Sequence, residues 1–389
     1  MKRTFITICI FIFSLFFSAA NAQQKDASSA ASYKIAIFAP LYLDSLFSNN
    51  YYKYEKKFPR FVLPGLDFVL GAQIAIDTLS ITESKLQAHI YDSKSSSKKI
   101  SSLIESHELD NVSLLIGSVK DEEYMQLANF ARQKNIPFIS ATYPNDGGII
   151  DNPNLFIINS TLKTHCEAIF AYLLQNHSSD NLIHTRKKGN QEDRISGYFN
   201  NINQPDGNTL LNVRTILIDS NFNLVLSKLD STRKNIIIGG SLDEQFCTDL
   251  AEALNSVKKK YDITLIGMPN WDGFRFKKNF DYSFYYTSPY YKDENNFFSK
   301  FVDGAYLKKY KKPPSDFACK GFEAVFTTVS LLIKHHKAFG KNINDISFDV
   351  FSKYNFVPIK GEKKDIPNYY ENKHLFILKK SNGTVSRVL

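Results

Sequence analysis

The stretch KIAIFAP at positions 34–40 is the first of four similar segments that decide the fold of this chain. The others are AHIYDS at 88–93, SLLIGS at 113–118 and PFISAT at 137–142, and each is followed by a helical pattern. Short apolar runs that alternate with helices predict a parallel sheet, because parallel strands need helical crossovers. The carboxyl ends of such strands share one rim, and ligands of open α/β sheets bind at that rim.

The same alternation recurs in the second half of the chain. Apolar runs are found at 181–184, 213–218, 235–238, 263–266 and 284–287, with helical patterns between most of them. We therefore predict a second α/β lobe built like the first. Between 42 and 59 lies a polar, tyrosine-rich connection that is long for a link between a strand and a helix.

The N-terminus has the pattern of a secretory signal peptide. Lys2 and Arg3 form a basic start, positions 5–17 are apolar, and Ala20-Asn21-Ala22 fits a small-residue cleavage site. The apolar run is short for a spanning helix, although a membrane anchor is the alternative interpretation. We expect residues 1–22 to be removed near Ala22 and the mature protein to be periplasmic.

Charge and cysteine usage exclude several classes of function. The chain has 48 Lys and Arg against 39 Asp and Glu, and the basic excess lies in short clusters typical of solvated faces. A secreted chain without a nucleic-acid motif is not expected to bind nucleic acid. Cys166, Cys247 and Cys319 remain after the leader, which allows at most one disulfide. Their apolar neighbours favour burial, and their spacing fits no metal site, so we predict no metal and no cofactor.

Catalytic motifs give no support for an enzyme. No nucleophile-elbow or phosphate-loop pattern is present in the sequence. Ser95 and Lys98 formally match Ser-x-x-Lys, but the partner motifs are missing. His335 and His336 are adjacent on a predicted helix and point in different directions, so a shared metal is not expected. We predict a protein that is not an enzyme.

The order and spacing of several segments resemble the type I periplasmic binding proteins. The match is to the leucine/isoleucine/valine-type receptor branch, and in particular to divergent envelope members found in Bacteroidetes-like bacteria. The segments that carry the resemblance are 34–40, 71–77, 90–93, 115–118, 136–140 and 236–240.

That resemblance implies an architecture and a domain division. The expected fold is α/β, with two Rossmann-like three-layer α/β/α lobes that are joined by three crossovers and close over a ligand by hinge motion. We expect the N-terminal lobe to comprise 33–160 and 292–338. The C-terminal lobe would then comprise 161–291 and 339–389.

In the first lobe, the resemblance places ligand contacts in the loops after the third and fourth strands. Ser118 and Thr142 are the hydroxyl donors that match the family pattern. Where the family has serines at the start of a helix, this chain has Asp121 and Glu122, which would repel a ligand carboxylate. These two acids are either ligand contacts or simple helix-capping residues. Tyr143 lies on the same rim and either binds or packs.

In the second lobe, Arg186 lies where the family usually has an aromatic residue, and Asp272 could replace the family's acid. Trp271, the single tryptophan, either stacks on a ligand or plugs the cleft. Tyr42, on a rim loop of the first lobe, again either binds or packs. These departures favour a ligand with cationic or polyhydroxyl character at the first lobe and anionic character near Arg186.

The resemblance leads to a functional expectation with one alternative. We expect a monomeric periplasmic solute-binding protein that captures a small polar, amino-acid-like ligand for transport or sensing. Its partner would be an inner-membrane permease or sensor. The alternative is a cell-envelope interaction or scaffold protein that keeps the fold without the amino-acid pocket.

Overall fold

We describe the fold from a computed structural model of the chain. The described residues are 32–54, 58–81, 85–219, 221–274, 283–363, 365–381 and 383–388. The predicted signal peptide, 1–22, lies outside the described residues.

The described residues form strands in both halves of the chain. In chain order the strands are β1 (Tyr33–Ala39), β2 (Phe47–Ser48), β3 (Tyr51–Tyr52), β4 (Leu86–Asp92), β5 (Leu114–Gly117), β6 (Phe138–Ser140), β7 (Leu155–Ile157), β8 (Asn181–Arg186), β9 (Val213–Leu217), β10 (Asn235–Gly239), β11 (Ile263–Ile266), β12 (Phe284–Ser288), β13 (Phe356–Lys360), β14 (Pro367–Asn372), β15 (Phe376–Ser381) and β16 (Thr384–Arg387). The four segments at 34–40, 88–93, 113–118 and 137–142 overlap β1, β4, β5 and β6.

Helices connect most of these strands. In chain order the helices are α1 (Leu43–Leu46), α2 (Leu63–Leu79), α3 (Ile100–Glu105), α4 (Asp121–Lys134), α5 (Leu162–Asn176), α6 (Asn190–Asn203), α7 (Asn223–Leu226), α8 (Glu244–Val257), α9 (Phe297–Tyr310) and α10 (Asp316–His335). Short 3₁₀ turns are found at 60–62, 205–207, 269–273, 336–342 and 346–348.

The first lobe is built on a seven-stranded sheet in the order β13-β14-β7-β6-β5-β1-β4. Its strands are parallel except for β13, and Ile37 of β1 lies opposite Ile90 on one side and Ile116 on the other. β5, β6 and β7 are buried along their whole length, which explains their unbroken apolar sequences. The predicted parallel sheet is confirmed.

The second lobe repeats this arrangement in the order β16-β15-β12-β11-β10-β8-β9. The five strands from β8 to β12 are parallel, whereas β15 and β16 run antiparallel at one edge. Cys166 and Cys247 are buried in the core of this lobe, and Cys319 is buried in α10. All three are free thiols, in agreement with the prediction of burial.

The sheets correct one part of the predicted domain division. Residues 339–389 were all expected in the second lobe, but β13 and β14 belong to the first sheet, where Tyr370 pairs with Phe156 of β7. The Phe156 ring packs against Phe339, Phe356 and Tyr370. This aromatic cluster holds 339–372 on the first lobe, and within 339–389 the second sheet takes only β15 and β16.

Two helices of the first lobe cross at very short range. A Cβ atom on Gly71 of α2 would lie 1.8 Å from the carbonyl oxygen of Ala318, and one on Gly321 of α10 would lie 2.0 Å from that of Phe68. Among the described residues, the stretch 60–79 is the one helical segment long and apolar enough to cross a membrane. Its contact with α10 makes it a core helix of the lobe.

Three short crossovers connect the two lobes. They follow β7, β12 and β14, at 158–161, 289–296 and 373–375. The first and third crossovers are tied together, because the Ser160 hydroxyl donates to the carbonyl oxygen of Asn372 at 2.5 Å. The Glu371 carboxylate accepts a 2.7 Å hydrogen bond from the Thr161 backbone N–H at the start of α5. A carboxylate is favourable there because the helix N-terminus is positive.

Candidate ligand-binding cleft

A cleft of about 670 Å³ lies between the two lobes. Its lining comes from strand-end loops of both lobes, from the helices α5, α6 and α10, from β14 and from the crossovers. The lining residues used below are Tyr143, Asp146, Asn159, Lys163, His165, Arg194, Tyr198, Asn270, Asp272, Thr287, Ser288, Tyr290, Lys320, Tyr369, Glu371 and Lys373. This volume is in the range of small-molecule sites.

The first-lobe wall is the loop after β6. Tyr143 packs edge-on against the buried Tyr124, with ring centroids 5.1 Å apart. The Asp146 carboxylate accepts a 2.8 Å hydrogen bond from the Tyr369 hydroxyl, and the Asp146 carbonyl accepts one from Tyr124 at 3.2 Å. Asn159 donates to the Thr142 carbonyl at 2.7 Å. These contacts fix the loop to the sheet and give the wall a defined shape.

The start of α5, the end of β12 and the second crossover together contribute a hydrogen-bonded surface. His165 of α5 is buried, and its Nδ1 lies 2.7 Å from the Thr287 hydroxyl at the end of β12. Burial lowers the pKa of His165 to about 3, so the imidazole is neutral at physiological pH. The Tyr290 hydroxyl donates to the Ala141 carbonyl of the first lobe. This bond joins the second crossover to the carboxyl end of β6.

A buried ion-pair network lies where the crossovers meet. Lys373 Nζ lies 3.2 Å from Glu371 and 3.1 Å from Glu167. The Thr164 hydroxyl donates to Glu371 at 2.7 Å. The Glu371 side chain is 2% exposed, so each of these partners satisfies a charge that would be costly to leave alone. The network leaves no unpaired charge on Glu371.

The second-lobe wall consists of α6 and the turn after β11. Arg194 donates to the Tyr198 hydroxyl at 3.2 Å on α6. Asn270 donates to the Leu242 carbonyl at 2.7 Å, and the Asp272 carboxylate accepts a 3.1 Å bond from the Tyr286 hydroxyl. Both walls therefore present polar groups that are held in place by the lobe behind them.

All nine residues that the sequence analysis singled out are among the described residues, and two of them, Tyr143 and Asp272, line this cleft. Ser118 and Thr142 do lie together, but their hydroxyls bond to each other at 2.9 Å. Ser118 is 7% exposed. The two side chains therefore lie together, but neither of them lines the cleft.

Asp121 and Glu122, at the start of α4, also lie outside the cleft lining, and so does Tyr42. Asp121 is exposed and lies 3.8 Å from Lys120, while Glu122 accepts a 3.0 Å bond from Gln126 on the helix surface. These contacts are typical of a solvated helix start. Tyr42 packs edge-on against Phe61 at 5.1 Å, and its backbone N–H donates to Asp92.

In the second lobe, Arg186 and Trp271 are occupied by internal contacts. Arg186 forms an ion pair with Asp193 of α6. Trp271 is fully buried, and its ring lies over Gly267 and Gly239, where a Cβ atom would be only 2.1 Å and 2.5 Å away. Its Nε1 donates to the Ser241 carbonyl at 3.2 Å. Trp271 is a core residue of the second lobe and does not line the cleft.

The sequence analysis missed three residues that line the cleft. Lys320, His165 and Tyr290 reach the cleft from different parts of the chain, and only the meeting of α5, α10 and the second crossover brings them together. His165 and Lys320 lie in helical patterns that also predict core packing. A charged residue within the apolar run of α10, 316–335, was the one available signal.

Solved structures similar to this one are solute-binding proteins of transporters. One is a branched-chain amino acid transporter periplasmic ligand-binding protein from Burkholderia xenovorans, with a TM-score of 0.63, 10% identity and coverage of 92% of this chain and 94% of that chain. Another is a transporter substrate-binding protein from Desulfitobacterium hafniense in complex with Leu, with a TM-score of 0.59, 14% identity and coverage of 92% and 99%.

A third similar structure is a solute-binding protein from R. palustris in complex with benzoate, with a TM-score of 0.50, 14% identity and coverage of 92% and 96%. No family model and no curated protein matches the sequence. At these identities the likeness concerns the fold, and it extends over both lobes. The chain therefore has the same two-lobe α/β fold as these solute-binding proteins.

Proposed function

We propose that this protein is a periplasmic solute-binding protein that holds a small polar molecule between its lobes for delivery to a membrane permease or sensor. The observation that carries the proposal is the cleft of about 670 Å³, which both lobes and the crossovers line with polar groups. Tyr143 on one wall and Asp272 on the other are the proposed contacts that the sequence analysis already named. The proposal includes secretion through the leader at 1–22.

The ligands of similar proteins suggest the size of molecule to test. The similar structures include complexes with Leu, isoleucine and benzoate, all of which are small carboxylates. In this chain the first-lobe hydroxyls of Ser118 and Thr142 bond to each other. We therefore expect a small ligand of this size to be held by other groups than that hydroxyl pair.

Thermal melting against a panel of amino acids, aromatic acids, peptides, nucleosides and sugars tests the proposal. Ligand at a hundredfold its dissociation constant should raise the free energy of unfolding by about 2.7 kcal/mol. Gln191→Trp places a bulky ring in the cleft from α6 and should abolish the response. Asn200→Trp, at the other end of α6 and outside the cleft lining, should keep it. A flat response across the panel would contradict ligand capture.

A second candidate is an envelope interaction protein that keeps the fold without capturing solute. Exposed aromatic side chains on the segment between β1 and α2 favour it: Phe47, Tyr51, Tyr52, Tyr54 and Phe58 are all at least a third exposed. Neighbouring permease and ATPase genes would support transport. A flat ligand response together with the absence of such genes would support the envelope role.

A further inference from the structure

The cleft contains more cationic side chains than its carboxylates neutralise. Lys163, Arg194, Lys320 and Lys373 line it, against Asp146, Asp272 and Glu371. Each of the three carboxylates has an internal hydrogen-bond or ion-pair partner: Tyr369, Tyr286 and Lys373 respectively. Among the described residues, the cations other than Lys373 have no carboxylate within ion-pair distance.

Lys320 is the most enclosed of these three cations. It projects from α10, and its Nζ lies 4.6 Å from the centroid of the Tyr290 ring and 5.4 Å from that of Phe317. Within the described part of the chain its ammonium has no hydrogen-bond acceptor. Aromatic faces stabilise a cation only partly, and an ammonium needs hydrogen bonds once water is removed. Burial accordingly lowers the pKa of Lys320.

Nearby acids raise the pKa of Lys320 against the larger effect of burial, but none of them pairs with it. Asp272, Asp316 and Glu323 raise its pKa through their charges, although none lies within ion-pair distance of its Nζ. Asp272 is bonded to Tyr286, and Glu323 accepts backbone N–H bonds from Phe351 and Ser352. The ammonium therefore faces the cleft with its donors unused.

We propose that Lys320 is the anion anchor of the cleft, and that the ligand is a small organic anion whose charged group pairs with this ammonium. The inference rests on the proposed solute-binding function and names its ligand class. Arg194 and Lys163 on the second-lobe side add to the positive potential that would attract an anion. Apolar surfaces of Leu162, Leu242 and Pro289 lie in the same lining and suit an organic body.

Calorimetry with matched pairs of probes tests this inference. The pairs are benzoate with benzamide and glutarate with glutaramide, and phenyl phosphate tests the alternative anionic group. We expect binding of one or more of the anions, with the matching neutral or amide probe at least tenfold weaker. Binding of a carboxylate or of phenyl phosphate identifies which anionic group the anchor takes.

Variants of Lys320 test whether this ammonium itself pairs with the anion or whether the overall positive charge of the cleft is enough for binding. Lys320→Met and Lys320→Gln should each weaken anion binding at least tenfold, whereas Lys320→Arg should restore most of it. Lys379 also lies near an aromatic ring, 6.0 Å from that of Tyr285, but outside the cleft lining, so Lys379→Met is the matched control and should bind like the wild type. The unfolding midpoint without ligand confirms that each variant is folded.

The outcomes separate this inference from the proposed function. Equal binding of an acid and its amide, or unchanged anion binding by the folded Lys320→Met and Lys320→Gln variants, would overturn the anion anchor and leave solute binding standing. Binding of neutral sugars or nucleosides in place of anions would also overturn the anion anchor and leave solute binding standing. A complete absence of binding across the broad panel would overturn both.

Discussion

At the scale of single residues, the structure assigns Trp271 to the core of the second lobe. The side chain is fully buried, and its ring fills the space over two glycines. Replacement by Ala would leave a large cavity and remove many packing contacts. We predict that Trp271→Ala lowers the free energy of unfolding by about 3–5 kcal/mol, as measured by urea denaturation.

The matched control for Trp271 is an aromatic residue on the surface. Phe297 is 74% exposed at the start of α9, so Phe297→Ala should change the free energy of unfolding by about 0.5 kcal/mol or less. A Trp271→Ala variant as stable as Phe297→Ala would show that the ring does not lie in the core. It would reopen the interpretation of Trp271 as a ligand-stacking residue.

Glu323 should make stability depend on pH. Its carboxyl is buried, and desolvation raises its pKa from 4.5 to about 7 despite hydrogen bonds from Ser352 and Phe351. Between these two values the folded state binds more protons than the unfolded state, so stability falls as pH rises. Below pH 4.5 the contribution is fully present, and it is lost as pH rises through 7.

The Glu323→Gln variant isolates that contribution. Its amide oxygen can still accept the backbone bonds, but it does not titrate. Relative to the variant, the wild type should lose about 3 kcal/mol at most in free energy of unfolding between pH 5 and 8. Parallel pH profiles for the two proteins, from denaturation at each pH, would contradict the raised pKa.

At this scale the sequence was a partial guide. It pointed to Tyr143 and Asp272, which follow strand ends and line the cleft, and their contact with a ligand stays a prediction. Lys320 and His165 could not be found in that way. Their contacts, 4.6 Å to the Tyr290 ring and 2.7 Å to the Thr287 hydroxyl, join residues that are far apart in the sequence.

At the scale of elements, the close crossing of α2 and α10 organises the first lobe. Gly71 and Gly321 each leave room for a carbonyl oxygen of the other helix, at 1.8 Å and 2.0 Å from where a Cβ would be. We predict that Gly71→Ala forces the helices apart and costs about 3 kcal/mol in free energy of unfolding. Thermal or chemical denaturation measures the loss.

Another helical glycine provides the control for this crossing. A Cβ atom on Gly304 of α9 would meet no neighbouring atom within 4 Å, so Gly304→Ala should stabilise the protein by up to about 1 kcal/mol through backbone entropy. Destabilisation by Gly304→Ala as large as that by Gly71→Ala would show that helix propensity, and not the crossing, decides the effect.

Strands and helices could be predicted where a short stretch of sequence determines them. The parallel strands of both sheets follow from apolar runs that end in small or polar residues, and the structure confirms them. The assignment of 339–372 was wrong because β13 and β14 join the first sheet through pairing with β7, a contact more than two hundred residues away along the chain. No local sequence pattern shows whether a strand near the end of the chain joins the edge of the first sheet or the edge of the second.

At the scale of the whole molecule, we expect the three short crossovers to act as a hinge about which the lobes close on a ligand. Ties such as the Ser160 bond to Asn372 and the Lys373 pair with Glu371 keep the hinge itself ordered. Ligand that contacts both walls should favour the closed arrangement, because it gains contacts there that the open one lacks.

Closure can be measured between Lys120 and Asn190, which lie at the starts of α4 and α6 on opposite lobes. Spin labels on Lys120→Cys and Asn190→Cys would report the distance, because the native cysteines 166, 247 and 319 are buried. We predict that a panel compound that raises the unfolding midpoint also shortens this distance. A stabilising compound that leaves the distance unchanged, or a panel without any stabilising compound, would contradict ligand capture between the lobes.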